Sequence, residues 1–281
     1  MDLDGTLLGK DGKVSDENAR ALRACEQRGI FPVLASGRSL ESVREIAKGI
    51  GLNSPVISSN GTRVDLTPDG PVIFERTFPL DAARRIYQTM LESGLYFVCY
   101  GHDRMYQNNI SGADGSVLRG VNARRSSNAK GVVSDGGYTV EVVADDSARM
   151  RSEGLINPYK FVAFSLDSVR LAALSEALKT CGAPCLVSSS WFDNVEVVYE
   201  GAGKGAALRA LAAHLEIERD ETMAFGDNLN DYDMLAAAGV AVAMGNAVPE
   251  LKAVAHIIAP PHDQSGVGRV ISEQVLARVQ G

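Results

Sequence analysis

The sequence predicts an α/β fold, in which a doubly wound core with a mainly parallel sheet carries an inserted α+β domain. Short apolar runs typical of buried strands alternate with helical patterns over residues 1–80, and the alternation returns over residues 191–281. Over residues 81–190 this regular pattern is replaced by strand-like runs around a long polar stretch. We therefore expect residues 1–80 and 191–281 to form the core and residues 81–190 to form the inserted domain.

The first part of the core reads as helices alternating with strands. Ser15 is expected to be the N-cap of a helix that ends near Gly29, and residues 30–35 read as a buried strand. A second helix is expected over residues 40–48, followed by a strand at residues 56–59. Turn residues then predict a turn and a hairpin, at Asn60-Gly61 and Thr67-Pro68-Asp69-Gly70.

The inserted domain reads as helices and strands around a polar segment. Helices are expected over residues 81–93 and 171–180. Strands are expected at residues 96–100, 138–143, 160–165 and 185–189, and the stretch at 108–137 is rich in Ser, Gly and Asn. The core pattern resumes after a run at 195–198, with a helical face of Leu208, Leu211 and Leu215 and a strand at 222–225.

Two acidic clusters lie where parallel strands are expected to end. Asp2 and Asp4 are two residues apart, on the same side of an extended backbone, just before Gly5. Asp227 and Asp231 follow the strand at 222–225. Ligands of open parallel sheets sit at the carboxyl ends of strands, so the clusters could converge on one pocket. Carboxylates in that number repel one another unless a hard cation neutralises them, and oxygen ligands without nearby Cys or His favour Mg²⁺.

Other positions could bind an anion, although each is a weak signal alone. Lys204 lies in Gly201-Ala-Gly-Lys-Gly205 and could bring positive charge to a phosphate or to a nucleophile, or could simply be solvated. The segment is not a phosphate-binding P-loop, because Gly205 occupies the place of that motif's Ser or Thr. Ser36-Gly37, between a strand and a helix, could offer a hydroxyl and N–H groups.

In combination, these residues resemble the four motifs of haloacid dehalogenase-type phosphatases. The motifs are Asp2-Leu-Asp-Gly-Thr6, Ser36, Lys204, and Gly226-Asp227 with Asn230-Asp231. The resemblance is closest to the Cof-like subfamily, which has segments similar to Leu34-Ala-Ser-Gly-Arg38, Ser59-Asn-Gly61, Gly203-Lys-Gly205, Met244-Gly-Asn-Ala247 and Gly266-Val267. It covers both core segments, and the inserted domain only in size and position.

The resemblance implies a magnesium-dependent phosphatase with a cap domain that selects the substrate. Asp2 would attack phosphorus, and Asp4 would be the general acid and then the base. The Mg²⁺ site would comprise Asp2, Asp4 through its backbone carbonyl, Asp227 and Asp231. Contacts to substrate and phosphate are assigned to Leu3, Ser36, Gly37, Arg38, Lys204 and Asn230.

The resemblance leaves several activities open. The pair of Asp2 and Asp4 favours phosphatase or phosphomutase chemistry, because relatives that attack carbon or release no alcohol commonly lack the second Asp. Substrates of similar proteins are phosphosugars, phosphorylated cofactors and other small monoesters. The alternatives are a sugar phosphomutase, a phosphatase for a disaccharide phosphate, or an inactive module that binds phosphorylated metabolites.

Some residues have competing interpretations. Arg38 could contact phosphate or form a surface salt bridge, and Asn60-Gly61 could be a tight turn or line the pocket. Trp191 and Phe192 are expected to pack rather than to contact substrate. The four His residues show no ligand spacing, and the four Cys residues are expected to be reduced and structural.

The position of Asp2 predicts a longer natural chain. Family members begin several apolar residues before the first motif Asp, because that residue ends the central strand, whereas here Met1 directly precedes Asp2. Five such buried side chains would contribute about 10 kcal/mol, comparable to a domain's net stability. We therefore expect a start upstream of Met1.

Composition limits the partners of this chain. The formal charge of −7 and the pI near 5.2 argue against nucleic acid or an anionic membrane as the main partner. The sequence contains no long apolar run and no signal peptide pattern. We expect a cytoplasmic monomer or homodimer whose partner is a small phosphorylated metabolite.

Overall fold

The computed structural model describes residues 1–102, 105–108, 132–135, 138–141, 151–152 and 155–277. The strands in these residues are β1 (Leu34–Ala35), β2 (Val56–Ser58), β3 (Arg63–Asp65), β4 (Val72–Glu75), β5 (Tyr96–Tyr100), β6 (Met105–Gln107), β7 (Val132–Asp135), β8 (Tyr138–Glu141), β9 (Lys160–Phe164), β10 (Cys185–Ser188), β11 (Asn194–Tyr199), β12 (Met223–Gly226), β13 (Val240–Met244) and β14 (Ile257–Ala259). The α-helices are α1 (Asp16–Glu26), α2 (Leu40–Gly49), α3 (Leu80–Glu92), α4 (Ser168–Thr180), α5 (Lys204–His214), α6 (Tyr232–Ala237), α7 (Pro249–Val254) and α8 (Gly266–Ile271).

The chain forms two compact units, one of Met1–Glu75 with Gly203–Gly281 and one of Arg76–Ala202. In the first unit, β1 and β2 are parallel and continue into the antiparallel strands β3 and β4. The strands β12, β13 and β14 are parallel throughout. The predicted doubly wound α/β fold is confirmed.

Residues 1 and 2 join the two sets of strands. The Ala35 N–H donates to the Met1 carbonyl at 2.8 Å, and the Asp2 N–H donates to the Phe225 carbonyl at 3.0 Å. β1 therefore lies on one side of these two residues and β12 on the other, so the strand order changes direction here. In open α/β sheets, such a switch point is where ligands bind, beyond the carboxyl ends of the strands.

The core of the first unit is built from apolar side chains that helices and strands bring together. Leu22 of α1, Val43 of α2, Leu34 of β1, Val56 of β2 and Val242 of β13 are all fully buried in it. Side chains of this size contribute about 1.5–3 kcal/mol each when they are buried. This packing fixes the strand ends that carry the polar residues described below.

Local sequence signals fix where the first helices begin. The Ser15 hydroxyl accepts a hydrogen bond from the Asn18 N–H at 3.2 Å, which confirms Ser15 as the N-cap of α1. Ser39 caps α2 in the same way through the Ser42 N–H, at 3.4 Å. The strand expected over residues 30–35 forms only at its last two residues, Leu34 and Ala35. Pro32, which has no N–H to donate to a neighbouring strand, interrupts the earlier part.

The second unit is an antiparallel sheet with helices on one face. Its strand order is β10-β11-β9-β5-β6, and all its described pairings are antiparallel. Alternate residues such as Phe97 and Phe161 form an apolar cluster with residues of α3 and α4. Their neighbours, among them Val98 and Val162, form a separate cluster on the other face. The part of the expected strand at 138–143 beyond Glu141, and most of the polar stretch at 108–137, lie outside the described residues.

The second unit extends beyond the range expected from the sequence, residues 81–190. It spans Arg76–Ala202, because β11 hydrogen-bonds to β9 and β10 rather than to the strands of the first unit. The sequence analysis placed the boundary after the strand expected at residues 185–189 and therefore before β11. Among the described residues, no helix is both long and apolar enough to cross a bilayer.

Candidate functional site

Lys204 is the centre of a buried cluster in the first unit. It is the first residue of α5, and its side chain is fully buried. Its ammonium nitrogen Nζ lies 2.6 Å from Asp2 Oδ1 and 2.6 Å from Asp231 Oδ1. The structure therefore brings together residues from the start of the chain, from α5 and from the turn after β12.

Asp227 and Asp231 are held by the turn that follows β12. One Asp231 oxygen, Oδ2, accepts hydrogen bonds from the N–H groups of Asp227 at 3.0 Å and Asn228 at 3.3 Å. Asp227 Oδ1 accepts a bond of 2.9 Å from the Thr6 hydroxyl. A side chain at Gly5, where φ is +83°, would lie 2.3 Å from Asp227 Oδ2. Gly5 therefore allows the two acidic loops to meet.

The carboxylates of Asp2, Asp227 and Asp231 fit a divalent cation. Each offers one oxygen, and these three oxygens lie within 4.8 Å of one another. The three ionised groups exceed the charge of Lys204 by two negative charges. Carboxylate oxygens are the ligands that Mg²⁺ and Ca²⁺ prefer, and a 2+ ion would balance this excess.

Burial and neighbouring charges shift the pKa values of Asp2, Asp227 and Lys204. Burial raises the pKa of Asp2 well above its usual range, and the charge of Asp231 raises it further, against the effect of Lys204. Burial and Asp231 also raise the pKa of Asp227 to about 7, although Thr6 and Lys204 oppose the change. Burial alone would lower the pKa of Lys204, but attraction by Asp2 and Asp231 outweighs it and raises this pKa. The cluster is thus short of positive charge.

The Asp4 carboxylate lies outside this group of three and is bound by Arg38. Arg38 donates from Nε to Asp4 Oδ2 at 2.8 Å and from Nη2 to Asp4 Oδ1 at 2.7 Å. Both side chains are partly exposed, Asp4 by 54% and Arg38 by 33%. The salt bridge considered for Arg38 is thus present, and its partner is the expected acid–base residue. The Asp4 carboxylate is absent from the group of three described above.

Ser36 and Gly37 follow β1 at the same edge of the sheet. Ser36 is buried, and its hydroxyl accepts a hydrogen bond from the Arg38 N–H at 3.1 Å. A side chain at Gly37 would lie 2.8 Å from the Asn60 amide oxygen, so glycine is needed for this close approach. Asn230 is half-buried and donates from Nδ2 to the same oxygen at 3.4 Å.

The expected substrate contact of Leu3 stays a prediction, although the side chain of this residue lies in the core. Its side chain is fully buried in the core of the first unit. Its carbonyl accepts hydrogen bonds from the N–H groups of Thr6, Leu7 and Leu8, at 3.3, 3.0 and 2.9 Å. The side chain faces the core because alternate residues of an extended segment point to opposite sides. The Leu3 side chain is therefore part of the core.

Sequence reasoning missed two contributions to the site. It gave no role to Thr6, although a hydroxyl four residues after Asp2 was a signal for a bond to the second acidic cluster. It left Asn60-Gly61 open between a turn and a pocket, and the structure packs this turn against Gly203 and Lys204.

In the second unit, Trp191 and Phe192 are 43% and 71% exposed, so the expectation that they pack in a core is wrong.

Comparison with known proteins identifies related phosphatases. A family model described as haloacid dehalogenase-like hydrolase matches residues 1–271. Phosphatase YwpJ of Bacillus subtilis is 32% identical over 282 residues, covering 96% of this chain and 97% of its own. The HMP-PP phosphatase of Cronobacter sakazakii is 30% identical over 254 residues, covering 90% of this chain and 85% of its own.

The fold has a close counterpart among solved structures. A haloacid dehalogenase-like hydrolase from B. subtilis superposes with a TM-score of 0.84 at 28% identity. The superposition covers 98% of each chain.

Proposed function

The chain belongs to the haloacid dehalogenase-like hydrolases, and from this membership we propose that it is a magnesium-dependent phosphatase of small phosphorylated metabolites. The observation that carries the proposal is the buried cluster of Asp2, Asp227, Asp231 and Lys204 at the switch point of the sheet. Relatives named as phosphatases, including one named for HMP-PP, support a phosphorylated small molecule as substrate.

In the first step, a carboxylate oxygen of Asp2 forms a bond to phosphorus, and the bond from phosphorus to the substrate's ester oxygen breaks. Asp4 donates a proton to that oxygen, which leaves as an alcohol. The product on the protein is an aspartyl-phosphate at Asp2. Lys204, 2.6 Å from Asp2 Oδ1, holds the nucleophile in one orientation and offsets negative charge.

In the second step, water attacks the phosphorus of the aspartyl-phosphate. Asp4, now deprotonated, accepts a proton from this water, and the bond between phosphorus and Asp2 breaks. Inorganic phosphate leaves and the Asp2 carboxylate is restored. The two bonds from Arg38 orient the ionised Asp4 carboxylate for this second proton transfer. In the first step Asp4 carries a proton on one oxygen, and that oxygen then donates to the leaving group instead of accepting from Arg38. Ser36, Gly37 and Asn230 are proposed to bind the oxygens of the transferring group.

The residues present fit Mg²⁺, which Asp2, Asp227, Asp231 and the backbone carbonyl of Asp4 would hold. A bound Mg²⁺ would supply charge neutralisation for the nucleophile and for the phosphoryl oxygens. The Thr6 hydroxyl and the backbone N–H groups of Asp227 and Asn228 would orient the carboxylates of Asp227 and Asp231.

Phosphate release tests the proposal. Purified protein would be incubated with a panel of phosphosugars and phosphorylated cofactors, with Mg²⁺ or with EDTA. We expect release with Mg²⁺ that EDTA abolishes, and a loss of at least about a thousandfold in Asp2→Asn. Asp220→Asn, the same chemical change at an exposed position, is the control and should retain full activity.

The outcomes separate the proposal from the alternatives. A phosphorylated isomer of the substrate without free phosphate would indicate a phosphomutase. Binding of a phosphosugar with Mg²⁺ but no conversion would indicate an inactive binding module. Release that persists in Asp2→Asn would show that Asp2 is not the nucleophile.

A further inference from the structure

The candidate site is built from four segments, which are the start of the chain, the loop after β1, the start of α5 and the loop after β12. A turn that has no assigned role contacts the last three of them. The turn is Ser59-Asn60-Gly61, directly after β2, and we refer to it as the 59–61 turn. We propose that the 59–61 turn is a positioning element that holds the phosphate-binding groups of Ser36, Lys204 and Asn230 in register, with the Asn60 side chain acting through Asn230. This inference rests on the function proposed above.

The turn adopts a conformation that is unusual for residues other than glycine. The φ angles of Ser59, Asn60 and Gly61 are 50°, 59° and 84°, so three successive residues lie in the left-handed region. Asn adopts this region more readily than other residues with a side chain, whereas Ser pays a strain cost of about 1–3 kcal/mol. Strain of this kind persists only where surrounding contacts determine the backbone.

The first of these contacts is with the loop after β1. The Asn60 N–H donates to the Ser36 carbonyl at 2.9 Å, and the Ser59 N–H donates to the Arg38 carbonyl at 2.8 Å. These two bonds bracket Gly37. Because they hold the backbone on both sides of Gly37, they also hold the direction of its N–H and of the Arg38 N–H, which donates to the Ser36 hydroxyl at 3.1 Å.

The second contact is with the beginning of α5. A methyl group at Gly61 would lie 2.2 Å from the backbone carbon and oxygen of Gly203 and 2.5 Å from the Lys204 nitrogen. The two backbones therefore touch directly. The turn sets the position at which α5 begins, and with it the position from which Lys204 reaches Asp2.

The third contact is through the Asn60 side chain. Asn60 is buried, with 4% of its surface exposed, and its Oδ1 accepts from Asn230 Nδ2 at 3.4 Å. The same oxygen would lie 2.8 Å from a side chain at Gly37. One amide oxygen thus lies against both Gly37 and Asn230, which come from the loops after β1 and β12. Asn60 is a positioning residue rather than a catalytic one.

Substitution of Asn60 and Gly61 separates the side-chain contact from the backbone contact. Asn60→Gly keeps the left-handed backbone accessible and removes the amide. Gly61→Ala keeps the amide and pushes on Gly203 and Lys204. Asn157→Gly is the matched control, because Asn157 is an exposed residue of the second unit with a similar φ of 49°.

The readouts are kcat and KM for p-nitrophenyl phosphate, the dissociation constant of inorganic phosphate with Mg²⁺, and the urea midpoint. We expect Asn60→Gly to lower kcat and phosphate affinity each by roughly tenfold, as for loss of a buried hydrogen bond. Its urea midpoint should lie below that of Asn157→Gly, because a buried amide is lost, but the variant should stay folded in the assay buffer. Asn157→Gly should keep full activity. Gly61→Ala should lose more activity, because it displaces the start of α5.

A double-mutant cycle shows whether Asn60 acts through Asn230. The double variant Asn60→Gly with Asn230→Ala should be no less active than Asn230→Ala alone. Losses that simply multiply, or wild-type kcat and phosphate affinity in Asn60→Gly, would overturn the positioning role and leave the proposed function intact.

Phosphate binding without hydrolysis by the wild type would refute the proposed function, and the variants' phosphate affinities would still decide this inference. Absence of both phosphate binding and hydrolysis would overturn both.

Discussion

Burial and the neighbouring carboxylates have opposite effects on the pKa of the Lys204 ammonium group. Removal of the side chain in Lys204→Met leaves Asp2 and Asp231 buried without their cation. We expect a loss of about 3–5 kcal/mol in the free energy of unfolding in EDTA, because the remaining charges are uncompensated. Urea unfolding measures the loss.

The control for this substitution is Lys179→Met. Lys179 lies 2.7 Å from Glu176 on α4, but both side chains are exposed. Such surface pairs contribute about 0–1 kcal/mol, so the control should unfold like the wild type. Mg²⁺ should restore part of the loss in Lys204→Met, and it should stabilise the control as much as the wild type, because both keep the intact cluster. Equal stability of the two variants would contradict the structure's account of the cluster.

At Asp227, the raised pKa predicts how metal-free stability changes with pH. Burial and the charge of Asp231 raise the pKa from 3.8 to about 7, so the folded chain keeps a proton that the unfolded chain releases. The stability from this proton is present below the ordinary pKa and is lost as pH rises toward 7. In EDTA, the urea midpoint should therefore decrease as the pH is raised from about 5 to about 8.

Asp227→Asn provides the comparison, because its amide does not titrate. We expect this variant to show a smaller decrease in urea midpoint over the same pH interval. A decrease as large as that of the wild type would mean that Asp227 has the ordinary pKa of an Asp carboxyl group in the folded chain.

Single residues also show how far the sequence alone could lead. Carboxylates at the ends of predicted strands were enough to suggest that Asp2, Asp227 and Asp231 meet, because strand ends share one edge of a sheet. The bidentate pairing of Arg38 with Asp4 depends on side-chain directions that the pattern of strands does not fix. The roles of Ser36, Lys204 and Asn230 in phosphate binding stay predictions.

At the scale of elements, the N-cap of α1 gives a test that is independent of the site. Ser15 accepts from the Asn18 N–H and its hydroxyl lies 2.8 Å from that of Ser265, next to α8. Ser15→Ala should lower the free energy of unfolding by about 1 kcal/mol, because the N–H loses its partner. Chemical unfolding measures the change.

Ser168→Ala is the matched change for this experiment. Ser168 is the exposed first residue of α4, where Asp167 is the cap. We expect its unfolding to be unchanged within about 0.5 kcal/mol. A similar loss in both variants would show that the Ser15 hydroxyl does not cap α1.

Elements were easier to predict from sequence than their partners. Most helices and strands lie within a few residues of their expected positions, since apolar spacing and caps are local signals. The partners of β11 were not predictable, because an apolar strand reads alike in either unit and its hydrogen bonds to β9 and β10 are made with distant residues. A turn was predicted at Asn60-Gly61, but its left-handed conformation was not, since Ser and Asn do not require such a conformation.

At the scale of the whole molecule, each apolar cluster of the described residues draws its side chains from one unit, and Asp2, Asp227 and Asp231 belong to the first. We expect calorimetry to resolve two unfolding transitions. Mg²⁺ should raise the midpoint of one of them, because a ligand stabilises the unit that binds it.

The assignment of the Mg²⁺-sensitive transition can be checked with Asp227→Asn. This variant should lose most of the Mg²⁺-dependent shift, whereas the second transition should keep its midpoint in every condition. A single transition that moves as a whole with Mg²⁺ would show that the two units unfold together.

The hydrogen bond between Asp2 and Lys204 joins residues that are 202 positions apart, and this separation has a consequence for synthesis. Translation at about 5–20 residues per second implies that roughly 10–40 s pass between the emergence of the two side chains. During that interval Arg76–Ala202 leaves the ribosome complete, whereas the first 75 residues still lack β12, β13 and β14. The nascent second unit is therefore expected to fold first, and the first unit is completed only near chain release. Until then, the apolar faces of α1 and α2 are a natural target for chaperones.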